Sequence, residues 1–217
     1  MSLTLVNNSS DIAQGTPQWY AVRLGKVTAS RVADVVAKTK SGWAASRANY
    51  LAELVAERLT GVAAETYKSA SMEWGTRNEA EARMAYEFMF DAEAAQVGFV
   101  DHPIIEMTGA SPDGLIDSDG LVEIKCPNTA THIDTLLSGS VDGRYVTQMQ
   151  WQMACTGREW CDFVSYDPRM PEDLRMFVQR VHRDDARIKS LEIQVIEFLS
   201  ELDQKIDALN KRRIRAD

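Results

Sequence analysis

The stretch SPDGLIDSDGLVEIKCP, residues 111–127, decides how the rest of the chain is read. Pro112-Asp113-Gly114 precedes a short apolar run, Ser118-Asp119-Gly120 makes a turn, and Leu-Val-Glu-Ile-Lys alternates charged and apolar residues. That is the pattern of a β-hairpin with half-buried arms. With Ser118-Asp119-Gly120 as the loop, Asp117 lies opposite Leu121 and Asp113 opposite Lys125. Side chains alternate along a strand, so residues 113, 115, 117, 121, 123 and 125 share one face. Asp113, Glu123 and Lys125 then gather at the open end of the hairpin. They could pair as a surface salt bridge, which is worth little. Alternatively, two converging carboxylates repel each other and a hard cation such as Mg²⁺ relieves the repulsion. A lysine beside them can orient or deprotonate a water, or stabilise charge on a phosphate.

Outward from the hairpin, the chain has 217 residues, enough for a single domain, 1–217, with a frayed start over 1–18 and a long helix over 184–213. No apolar run approaches a membrane span, and the N-terminus lacks the basic and apolar regions of a signal peptide. Cys126, Cys155 and Cys161 show no zinc-like spacing and suit a reducing cytoplasm. The net charge of −8 argues against nucleic acid at first sight. Its distribution changes that view. Residues 19–50 hold Arg23, Lys26, Arg31, Lys38, Lys40 and Arg47 against Asp34 alone, and the chain ends KRRIRAD. A basic face on an acidic body is compatible with DNA held at one surface, though charge alone favours an ordinary solvated surface.

Helices are predicted from a Thr28 cap to about Lys38, over 44–60 with a stop at Gly61, and over 71–90. Strands follow at AAQVGFV, PIIEM and the two hairpin arms. Helices at 131–137 and 145–156 precede strands at CDFVSYD and DLRMFVQRVHR. In the last helix Ile188, Val195, Leu202 and Leu209 recur every seven residues, with Leu191 and Phe198 between them. That seam could face the same chain or a sister subunit. The order of elements predicts an α/β or α+β layer fold around a central mixed sheet.

The stripe Met72, Gly75, Glu79, Ala82, Tyr86, Met89 is apolar or small except for Glu79. A carboxylate there needs compensation, from a metal or from Arg83 four residues on. Gln148, Gln150 and Gln152 could position a water or phosphate oxygen, or simply form a polar helix face. Arg23 and Ser30, in WYAVRLGKVTAS, suit a phosphate or a plain surface. His102, His132 and His182 have no metal-ligand spacing, and no nucleophile elbow or Walker loop is present.

Glu79, SPDG at 111–114, VEIKCP at 122–127 and Gln148 together resemble the PD-(D/E)xK nuclease signature. More narrowly, the chain resembles the phage lambda exonuclease or YqaJ-type viral recombinase family. The blocks WYAVRLGKVTAS, WGTRNEAEAR, SPDG, EIKCP, YVTQMQ and YDPRM stand in the family's order from Trp19 to Met170. The resemblance implies a restriction-endonuclease-like fold and a homotrimeric ring around duplex DNA. It implies Mg²⁺-dependent, processive 5′→3′ digestion of one strand to mononucleotides, with two ions per site and Mn²⁺ able to substitute. The 3′ tail left behind would pass to a single-strand annealing protein. Asp113, Glu123 and Glu79 are then metal ligands, with the Ile124 carbonyl as a further one. Lys125 positions or activates the water and Gln148 completes the motif. Arg23, Ser30 and Ser111 would hold a 5′-terminal phosphate, Lys40 would contact DNA, and Met72 would either part the end base pair or pack in the core. A bacterial cytoplasm and a phage or prophage origin are expected. Competing readings are another PD-(D/E)xK endonuclease or repair nuclease, a non-catalytic DNA-end-binding module, and an oligomerisation protein built on the terminal seam.

Overall fold

The computed structural model describes residues 9–64 and 70–213, apart from the Met72 side chain. The first eight residues of the segment expected to fray, and the last four of the basic tail, lie outside the described residues. In chain order the elements are α1 (Pro17–Arg23), β1 (Val27–Thr28), α2 (Val32–Val35), β2 (Lys38–Thr39), β3 (Gly42–Trp43), α3 (Ala45–Thr60), α4 (Ala70–Phe90), β4 (Ala94–Ala95) and β5 (Val100–Asp101). They continue as β6 (Thr108–Ala110), β7 (Gly114–Ile116), β8 (Gly120–Lys125), α5 (Thr129–Ser138), α6 (Gly143–Thr156), β9 (Trp160–Tyr166), β10 (Met176–His182) and α7 (Asp185–Arg213). They fall into two compact units. Of the described residues, one holds 9–64, 98–111 and 184–213, the other 70–97 and 112–183.

In the second unit a mixed sheet runs β10-β9-β8-β7-β4. β8 is antiparallel to β7 and parallel to β9, and the parallel step is closed by a crossover through α5 and α6. β8 is therefore a central strand with both faces covered, which corrects the half-buried arm expected from alternation. Val122 and Ile124 join Ala82 and Tyr86 of α4, Ile116 of β7 and Val164 of β9 in one apolar cluster. Each such side chain contributes about 1.5–3 kcal/mol on burial. The opposite face carries Glu123, which is fully buried.

The hairpin register also differs from expectation. Leu115 faces Leu121 and Ile116 faces Gly120, so the loop is Asp117–Asp119, with Asp117 at φ 45°. Arg158 Nη1 closes that loop by donating to the carbonyls of Ile116, Asp117 and Gly120 at 2.7–3.0 Å. The shift relative to the expected register is two residues. Because side chains alternate with period two, Asp113, Glu123 and Lys125 keep their common face.

In the first unit β1, β6 and β5 form a three-stranded sheet. α7 packs on α3 and α2 of the same chain, with Tyr50 stacked on Phe198 at 5.8 Å between ring centroids. That assigns the seam Ile188, Leu191, Val195, Phe198 and Leu202 to its own subunit; Leu209, expected in it, is 42% exposed. Two ion pairs, Arg47–Glu201 (2.7 Å) and Arg58–Asp203 (2.8 Å), tie α3 to α7. The helix expected from Thr28 to Lys38 is instead a 3-10 turn, Ala29–Arg31, and the short α2, because Lys38–Thr39 turns into a hairpin with Gly42–Trp43. PIIEM is a loop rather than a strand, and AAQVGFV contributes strand only at Ala94–Ala95 and Val100. Among the described residues no helix is long and apolar enough to cross a membrane.

Candidate active site

Glu123 anchors the site. Its Oε1 meets the Lys125 ammonium, two residues along β8, and accepts from Gln148 Nε2 at 2.6 Å. Its Oε2 accepts from Gln152 Nε2 at 2.5 Å. Gln148 and Gln152 are one helical repeat apart on α6, so both reach the same carboxylate. The register of α6 is set at both ends, by an Asp142 side-chain cap on Arg144 N–H and by left-handed Gly157. The glutamines are therefore buried donors, and the solvated polar face considered from sequence is not formed: Gln150 turns elsewhere and donates to the His182 carbonyl at 2.7 Å. Spacing of three or four on a helix, applied to Gln148 and Gln152, is the signal that would have singled out Gln152.

Asp113 stands just before β7, and its Oδ2 accepts from the Ile124 N–H at 2.6 Å. Burial, then the Glu123 charge, push the Asp113 carboxyl well above the usual carboxylate range. Burial would pull Lys125 down, but Glu123 and Asp113 outweigh it and hold the lysine above its usual range. Lys125 is thus an ammonium, a donor and a positive charge. Its Nζ lies 5.2 Å from the centroid of the Tyr145 ring, which stacks in turn on Phe163.

Glu79 and Lys125 line a cleft of about 520 Å³ together with Gly75, Thr76, Ile124 and Tyr145. Glu79 is 39% exposed and pairs with Arg83 at 3.0 Å, so the rim partner foreseen for it is present. The stripe it belongs to is only partly a core stripe: Ala82 and Tyr86 are buried, whereas Met89 is exposed. The Met72 side chain, proposed as a wedge, lies outside the described residues. Among the described residues no three His, Cys, Asp or Glu side chains cluster closely enough to hold a metal by themselves. The donor chemistry still fits a hard cation. Two carboxylates stand close enough that the charge of one raises the other's pKa, and Ile124 and Glu79 line the adjoining cleft.

The residues expected to take a terminal phosphate lie in the other unit. The Arg23 guanidinium stacks on Trp19, 3.7 Å from the ring centroid, and Trp19 Nε1 donates to Ser111 Oγ at 3.0 Å. Trp19 thus joins Arg23 to Ser111, a link that no spacing in the sequence betrays. Burial holds the Arg23 guanidinium below its ordinary value, and it makes no ion pair among the described residues. Ser30 is exposed, its Oγ 3.3 Å from Thr28 Oγ1. Lys40 is exposed in the turn between β2 and β3. The basic face is less basic than its composition: Lys26 pairs with Asp101, Arg31 with Asp34 and Glu53, and Arg47 with Glu201.

Carboxylates, an ammonium and amide donors gather beside one cleft of a mixed α/β fold, and the comparisons with known proteins give the class: a DNA exonuclease. The chain belongs to the YqaJ-like viral recombinase family, whose profile matches residues 18–159. It is 51% identical to an alkaline exonuclease (LHK-Exo) from Laribacter hongkongensis, over 93% of this chain and 100% of that one, with a TM-score of 0.87. The same exonuclease solved in complex with dAMP gives a TM-score of 0.88. A phage-related exonuclease from Haemophilus somnus 129PT shares the fold at 16% identity and a TM-score of 0.68, over 85% of this chain and 96% of that one. No curated protein sequence matches the chain significantly.

Proposed function

We infer that the protein is a DNA exonuclease that uses Mg²⁺, with Mn²⁺ able to substitute, to degrade one strand of linear duplex DNA processively from a 5′-phosphorylated end. The observation that carries this reading is the buried Glu123 carboxylate, gripped by Lys125 and two glutamines with Asp113 beside it. It is supported by membership of the recombinase family and by the 51% identical alkaline exonuclease. That relative has been solved with dAMP, a deoxynucleoside monophosphate, the product class such a reaction releases.

Asp113 and Glu123 would hold the divalent cations, with Glu79 and the Ile124 carbonyl as further oxygen donors. A bound cation supplies charge neutralisation at the scissile phosphate and acidifies water. The chain's own residues do the rest. Lys125 orients the attacking water and stabilises negative charge on the phosphate as it builds up. Gln148 keeps Glu123 in place. Water forms a new bond to phosphorus, the bond from phosphorus to the O3′ of the terminal nucleotide breaks, and that O3′ gains a proton. The terminal nucleotide leaves as a 5′-monophosphate, and the shortened strand again begins with a 5′-phosphate. Arg23, Ser30 and Ser111 would bind that phosphate, with Lys40 on the duplex. A homotrimeric ring would hold the DNA through successive cycles, and the 3′ tail would pass to a single-strand annealing protein in the bacterial cytoplasm.

A digestion time course tests this. Linear duplexes phosphorylated at one 5′ end are compared with closed circles, in Mg²⁺ and in EDTA. Shortening of the phosphorylated strand from its 5′ end, with circles intact, is the expected result. Cut circles would identify an endonuclease of the same superfamily. Binding without any cleavage would identify an end-binding module.

A further inference from the structure

We propose that Gln152 is a positioning residue of the metal site, one that fixes the rotation of the Glu123 carboxylate; this rests on the nuclease reading above. The terminal torsion of a glutamate is broad, so donors on one oxygen leave the group free to turn. Lys125 and Gln148 both meet Oε1. Among the described residues Gln152 alone meets Oε2, at 2.5 Å, and it is fully buried while doing so. The orientation of its amide is chemically set. Nε2 faces a carboxylate, which only accepts, and Oε1 lies 4.0 Å from the Cys161 thiol, which donates weakly. Burial, with Glu123 and Asp113 nearby, keeps that thiol protonated. A carboxylate offers about four acceptor positions. Three donors fill three of them and leave one, on Oε2, for a cation. Gln152 therefore determines which way that remaining position points. An outer partner of this kind typically changes metal affinity or activity about 10–100-fold when removed.

The test measures Mn²⁺ binding by calorimetry on the full chain, alongside the Mg²⁺ concentration needed for half-maximal cleavage and the melting temperature. Gln152→Met keeps the volume and removes the donor; Gln152→Asn keeps the amide but shortens its reach; Glu123→Gln is the reference for a lost ligand. Expected is a Mn²⁺ affinity at least about tenfold weaker in both Gln152 variants, with the Mg²⁺ requirement raised by a similar factor and the fold retained. A packing residue would lower the melting temperature and leave both metal readouts unchanged. Wild-type affinity in the Gln152 variants, with binding lost in Glu123→Gln, would overturn the role of Gln152 alone. Failure of both Gln152 variants to fold would make it a core residue and also overturn it. A wild-type chain that neither binds Mn²⁺ nor cuts DNA would overturn the nuclease reading itself.

Discussion

The Lys125 ammonium lies against Oε1 of Glu123, two residues away on the same face of one central strand. Glu123 is fully buried while the Lys125 side chain is 28% exposed, so the pair has one desolvated member and is not equivalent to an exposed salt bridge. Lys125→Ala is expected to lower the cleavage rate by roughly 10²–10⁴-fold, while circular dichroism and duplex binding in EDTA stay near wild type. Full activity in that variant would remove Lys125 from the mechanism.

Arg23 stacks on Trp19 and makes no close ion pair among the described residues, with Glu57 acting on it only from a distance, so its guanidinium can still meet an anion. Arg23→Ala is expected to reduce the preference for a 5′-phosphate over a 5′-hydroxyl end by roughly tenfold or more, the scale of one charge-assisted hydrogen bond. Competition between the two ends measures this, and an unchanged ratio would move the phosphate site elsewhere.

Asp167 in the YDPRM block is buried and held by Arg169 at 2.8 and 2.9 Å. Burial alone would raise its carboxyl, but the hydrogen bonds from Arg169 and Thr129 outweigh it and bring it from 3.8 down to about 2. A depressed carboxylate stabilises the fold in full above its unfolded value and loses that contribution as pH falls from about 4 towards 2. The melting-temperature gap between wild type and Arg169→Ala should be constant from pH 7 to 5 and narrow below pH 4. A gap that widens in acid would contradict the assignment.

Gly120 opens β8 where a Cβ would sit 2.1 Å from the Trp160 ring. Gly120→Ala must displace that indole, against which Arg180 stacks at 3.5 Å. A loss of about 1–3 kcal/mol is expected from denaturant unfolding. Wild-type stability would mean that the ring moves freely.

Assembly has its own test. Sedimentation at working concentration should give three copies per particle, and processive digestion by a stable monomer would remove the ring from the proposal.

Much of this was legible in the chain itself. Local patterning marked α3, α4, α6 and α7 within a residue or two, since their caps and periodicities are properties of neighbouring residues. The common face of Asp113, Glu123 and Lys125 was legible too, and survived a register error because strand faces depend only on parity. Tertiary structure decided the rest. β8 is covered on both faces by elements distant in the chain, so a strand that alternates charged and apolar residues is nonetheless wholly interior up to Ile124. Helical spacing puts Gln152 on the face of Gln148, but its partner is known only when α6 is laid beside Glu123, and that of Trp19 only when Ser111 is brought to its indole. Half of the basic residues in 19–50, Lys26, Arg31 and Arg47, are paired with carboxylates such as Asp101 and Glu201, which folding supplies. Periodicity records which side of an element is apolar; which group stands opposite it depends on contacts across scores of residues, and those exist only in the folded chain.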